Sequence, residues 1–170
     1  MAALPLDDSR WAQLWSSDGP ARNMPDLLAY LLEHPDNAEA IGNLQLAACS
    51  DGTTWSGGFA ALPYLVEIAR KLPPAQRLDV LTAIGWIVIG TTPEPEDPHA
   101  RLEPFLEEAF SQAIRDSVPL AAEALQSDLS DRELAGLFLV IAALKGHIPL
   151  AGVLANLDSC EHCNEMLGWS

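Results

Sequence analysis

Residues 54–90 read TWSGGFAALPYLVEIARKLPPAQRLDVLTAIGWIVIG, two apolar segments joined by the breaker Leu72-Pro73-Pro74. The stretch holds five charged residues in 37, and we take it as the buried centre of the fold. In the first segment Phe59, Leu62, Leu65, Val66, Ala69 and Leu72 recur at three- and four-residue spacings, which stacks them on one side of an α-helix and leaves Glu67, Arg70 and Lys71 on the other. Pro63 lacks a backbone N–H, so either a helix starts near it or a longer helix kinks there. In the second segment Leu78, Leu81, Ile84 and Val88 form one face and Val80, Ile87 and Ile89 another, the pattern of a helix buried on several sides. The β-branched run from Ile84 to Ile89 would also suit a strand. Its length from Pro74 to Gly90, with a proline start and a glycine stop, favours the helix.

With 170 residues a single domain is expected, and a chain of that length can bury one core without staples. A hydrophobic content of 49% with 6% aromatic residues fits an Ala/Leu-rich helical protein. No apolar run approaches the ~20 residues that span a bilayer. The start, MAALPLDDSR, shows no basic leader followed by an apolar core, and the cytoplasm is the expected compartment. The three cysteines, Cys49, Cys160 and Cys163, are an odd count rather than a disulfide framework.

Charge narrows the partners. The net charge is −15, with 24 acids against 9 bases. That disfavours nucleic acid and anionic membranes and suits a basic protein, although acidity also serves solubility alone. The field is uneven: residues 1–93 hold 10 acids and 5 bases, residues 94–170 hold 14 and 4.

The flanking sequence reads as further helices. Ser9 is the expected N-cap of a short helix carrying Trp11, Leu14 and Trp15, and Asp18-Gly19-Pro20 ends it. A second helix starts at Pro25 and stops before Pro35; a third runs from about Asp36 to Cys49; Asp51-Gly52 is a turn. Residues 91–98, TTPEPEDP, form a loop. Helices follow over Arg101 to Asp116, from Pro119 to Gln126, behind the capping box Ser130-Asp-Arg-Glu133, and from about Pro149, with Lys145-Gly146 as a helix stop. The expectation is an all-α chain of about eight helices, with residues 1–158 as the domain and 159–170 as a C-terminal tail. Successive antiparallel pairs follow the logic of an α-solenoid; a compact helical fold is the alternative.

Residues 57–69, GGFAALPYLVEIA, and 134–147, LAGLFLVIAALKGH, carry a resemblance. The first is similar to the opening helix of a HEAT-type unit. Together with Trp11-x-x-x-Trp15 and the terminal Cys-x-x-Cys, these stretches resemble a group of uncharacterised bacterial HEAT-repeat-like proteins. The resemblance implies a short, irregular, right-handed α-α superhelix with a curved protein-binding surface and no reaction. It carries over no functional residues.

Candidate chemistry is sparse. Cys160-Glu-His-Cys163 places two thiols and the His162 imidazole where they could share one tetrahedral zinc, but a full site needs a fourth ligand, and Cys49, His34, His99 and His147 are scattered. Asp51-Gly-Thr-Thr-Trp55 reads either as a polar site with an aromatic platform or as a turn in which Thr53 or Thr54 caps the next helix. Gly57-Gly58 lacks the lysine of a phosphate loop. Glu94, Glu96 and Asp97 alternate with prolines, unlike a calcium loop. No complete catalytic motif is present. The expected function is therefore non-enzymatic: binding of a basic protein through Asp51, Trp55, Glu94, Glu96, Asp97, Glu103 and Glu107, in one version as an immunity or antitoxin-like inhibitor. The alternative is a zinc-binding regulatory or scaffold module built on Cys160, His162 and Cys163. The sequence does not set the oligomeric state.

Overall fold

The computed structural model describes residues 3–91 and 95–157, so Glu94 of the proline loop, and Cys160, His162 and Cys163 with the C-terminal tail, lie outside the described residues. Among the described residues the chain is all-α apart from two small hairpins. Seven α-helices follow one another: α1 (Met24–Glu33), α2 (Ala38–Ala48), α3 (Ser56–Lys71), α4 (Leu78–Ile89), α5 (Glu107–Ala124), α6 (Asp131–Leu144) and α7 (Ile148–Leu157). Hairpin β1–β2 (Trp15–Ser16 with Gly19–Pro20) precedes α1, and hairpin β3–β4 (Cys49–Ser50 with Thr53–Thr54) joins α2 to α3.

The central pair is helical as its periodicity predicts. Leu62, Leu65, Ile68, Leu81, Ile84 and Ile87 are fully buried, whereas Glu67, Arg70 and Lys71 face solvent. Of the two roles open to Pro63, the structure takes the longer helix: α3 continues through it for 16 residues. Around this pair, α3 packs between α1 and α5, and α4 packs between α2 and α6, with α7 against α6. Helices within each row point the same way. Gly57 meets Met24 while the Lys71 ammonium reaches the Leu32 carbonyl, and Phe59 meets Phe110 while Arg70 pairs with Asp116. The connections β1–β2 and β3–β4 and the described part of the α4–α5 connection, 95–106, consequently meet at one end of the helices.

Several boundaries differ from the sequence expectations. The segment after Asp8 is a 3-10 turn, Ser9–Gln13, and its N-cap is Asp8 rather than Ser9: the Asp8 carboxylate accepts from Arg10 N at 2.9 Å. Pro74 opens a 3-10 turn, Pro74–Gln76, and α4 begins only at Leu78. The two helices expected over 101–126 are one. Residues 101–106 stay outside it, and α5 runs through Pro119 to Ala124, with the buried Ser117 hydroxyl donating to Ala113 O a turn back. Packing of the buried stripe Phe110, Ala113, Ser117, Leu120 and Ala121 outweighs the one backbone bond the proline forfeits.

Other signals act as they read. The Ser130–Glu133 capping box is formed in both directions, Ser130 N to Glu133 Oε2 at 2.8 Å and Glu133 N to Ser130 Oγ at 3.3 Å. Gly146, with φ 79, closes α6: its N–H donates to Ala143 O and that of His147 to Ala142 O, a Schellman pair. His147 is thus an exposed helix-end residue.

Candidate functional site

The end where the connections meet is built from two Ser-Asp-Gly turns and the α4–α5 connection. In β3–β4 the two-residue loop Asp51-Gly52 has φ 49 and 74, the left-handed pair that a type I′ turn demands, and this projects the Asp51 carboxylate into solvent. Neither neighbouring threonine caps α3. Thr54 is fully buried, donating its hydroxyl to Ile87 O at 2.6 Å and its N–H to Gly90 O, so it staples the hairpin to the C-terminus of α4. Trp55 occupies the N-cap position without a side-chain cap bond; its indole N–H donates to Ser50 Oγ at 3.1 Å and its ring is half-buried.

The glycines beside this hairpin answer to packing. A Cβ on Gly58 would stand 2.6 Å from Ala48 O, one on Gly57 2.8 Å from Trp15 O, and one on Gly90 2.6 Å from Thr54 Oγ1. Gly90 has φ −74, so its place at the end of α4 reflects close approach rather than a left-handed stop. Cys49 is buried, its thiol pointing at Trp86 O (3.4 Å), and burial pushes its pKa up, which leaves it a poor ligand or nucleophile.

The α4–α5 connection is pinned to the N-terminal segment. His99 stacks on Trp15 with ring centroids 3.8 Å apart, and the Arg10 guanidinium lies 4.7 Å over the Phe105 ring while forking onto Asp8. Arg10 holds the Asp8 carboxyl down at about 2. Asp97 caps the turn Pro98–Ala100 by accepting from His99 N at 2.8 Å. Sequence reading missed both aromatic contacts, because their partners lie more than 80 residues apart; only the compositional oddity of a lone histidine in an acidic proline loop hinted at one of them.

Among the described candidates, Asp51 and Trp55 come from one connection, Glu96, Asp97 and Glu103 from another, and Glu107 from the first turn of α5, so all reach the same end. Asp51, Glu96, Asp97 and Glu107 are exposed and Glu103 is half-buried. Residues 15–22, 49–55 and 95–108 together carry seven carboxylates against two guanidinium groups, Arg22 and Arg101. The negative potential of such a surface reaches over a Debye length of roughly 8 Å at physiological salt. Among the described residues no group of three or more His, Cys, Asp or Glu side chains is set to hold a metal, and no helix is long and apolar enough to cross a membrane. Comparison with protein-family models, with curated proteins and with solved structures finds no match.

Proposed function

We propose that this chain is a non-enzymatic interaction module, a short irregular HEAT-like superhelix that takes a basic protein partner against its acidic end. The observation that carries this reading is the convergence of carboxylates from two connections and the start of α5 on one end of the helices, beside the half-buried Trp15 and Trp55. The alternation of two parallel helical rows supports the superhelical part. An acidic end on a small rigid helical body suits an inhibitor of the immunity or antitoxin type, which occludes a basic toxin in the cytoplasm: complementary fields speed encounter, and aromatic groups beside the charges anchor the docked complex.

Co-purification from the native host, followed by calorimetry with the purified partner, tests this. The expected partner is net basic and stoichiometric. Its affinity should fall by about tenfold or more when salt is raised from ~50 to ~500 mM, and similarly for Asp51→Asn/Glu96→Gln/Asp97→Asn at low salt. A partner that is itself acidic, or binding indifferent to both changes, would sink the proposal.

A further inference from the structure

The flank of the molecule formed by α2, α4 and α6 carries three adjoining hollows. The largest, about 380 Å³, lies between α4 and α6–α7 and is lined by Leu78, Trp86, Gly136, Leu139 and Leu154. A second, about 340 Å³, lies at the start of α2 and α4 between Asp36, Ile41, Gln76 and Asp79. The third, beside Gly42 of α2, shares Asp79 and Thr82 with the first and Ile41 with the second, so the three are one groove. Two features mark it. Gly42 and Gly136 sit in helix interiors at the groove wall, and a Cβ on either would meet nothing within 4 Å. Neither glycine is explained by internal packing or by a left-handed backbone, although glycine weakens a helix; what each does is keep the wall low. Asp36 and Asp79 are exposed and form no ion pair with a described residue. Among the described residues Arg132 is the one base lining the hollows, against Asp36, Asp79 and Glu133.

We infer that this groove docks an amphipathic helical segment of a basic protein, with a large apolar side chain in the Trp86 hollow and a lysine or arginine between Asp36 and Asp79. This rests on the reading of the chain as a binder of basic protein but assigns a second, separate contact face. Asp79 and Trp86 lie two turns apart on α4, about 10 Å along its axis, so the segment's anchor and cation are two helical turns apart as well. A cation there neutralises two carboxylates that form no ion pair with a described residue, and the half-buried indole gains an apolar cover.

The test uses the full chain and a dye-labelled peptide of about 15 residues, leucines and lysines in helical register, followed by fluorescence anisotropy. A peptide of the same composition in scrambled order is the control. The native protein should bind the ordered peptide saturably and more tightly than the scrambled one. Gly136→Leu, whose Cβ would meet nothing within 4 Å and whose side chain adds bulk to the wall, should weaken binding by about tenfold or more while the melting temperature holds or rises, and Asp36→Asn/Asp79→Asn should weaken it by roughly fivefold at low salt. Glu96→Gln/Asp97→Asn, at the acidic end, should lose less affinity for the peptide than Asp36→Asn/Asp79→Asn. Absence of saturable binding, equal affinity for the scrambled peptide, or native-like binding by both groove variants overturns the groove; loss in the Glu96/Asp97 variant alone moves the contact to the acidic end. A failure to find a basic partner in the host would overturn the end-face reading and leave the peptide result standing.

Discussion

Glycines in this chain divide by what a methyl group would meet. Gly58 lies where α3 crosses the end of α2, and a Cβ 2.6 Å from the Ala48 carbonyl would force two helices apart. Gly58→Ala should therefore cost about 1 to 2 kcal/mol net of its gain in helix propensity, and lower the melting temperature by roughly 2 to 8 °C. Gly136→Ala, facing open space, should hold or raise it, and calorimetry of the two variants side by side checks the contrast. Asp8 provides a pH signature. Its pKa is lowered from 3.8 to about 2, chiefly by the Arg10 side chain, so the pair's stabilisation is complete above pH ~4 and lost as the pH falls through ~2. A melting-temperature difference between the native protein and Asp8→Asn should thus be present at neutral pH, shrink as the pH falls through about 2 and vanish below it; a gap that stays constant into acid would show that the pair does not titrate as described.

At the scale of elements, the helices follow from periodic burial while their ends follow from contacts. Ile84 is fully buried between rows of helices, and a carboxylate there has no partner; Ile84→Asp should abolish folding, since several kcal/mol of unpaired burial rivals the total stability of a domain. Loss of the cooperative melt and of native helical circular dichroism is the expected readout. The turn after α3 is held differently: Arg77, nearly buried, donates from Nε to Leu72 O at 2.9 Å and from its guanidinium to Glu123 at 2.6 Å, tying the α3–α4 connection to the end of α5. No local pattern in PPAQR announces that role. The helix pair, the capping box and the glycine stop after Lys145 were legible because each is settled within a few residues. The hairpins were half legible: Asp51-Gly52 reads as a turn, but two-residue strands have no periodicity to detect. The passage of α5 through Pro119 was not legible, since a local rule that breaks a helix there loses to tertiary burial.

Across the whole molecule, charge and core are separate. Glu96 and Asp97 are exposed on a connection whose anchors are Trp15–His99 and Arg10–Phe105, and asparagine can keep the cap that Asp97 gives His99 N, so Glu96→Gln/Asp97→Asn should shift stability by less than about 0.5 kcal/mol while weakening a basic partner. A thermal melt beside a binding titration separates the two effects, and a large drop in melting temperature would show that the negative charges themselves hold the connection. From its sequence alone the chain was bound to bury residues 54–90 as a helix pair and to carry an acidic second half, because side-chain periodicity and net charge are properties of the chain itself. Only the tertiary structure decided that Asp51, Glu96, Asp97, Glu103 and Glu107 share one end, that Thr54 staples a hairpin to α4 instead of capping α3, and that Asp36, Asp79 and Trp86 border one groove. Those relations depend on which helices lie side by side, and that is set by packing between residues far apart in the chain.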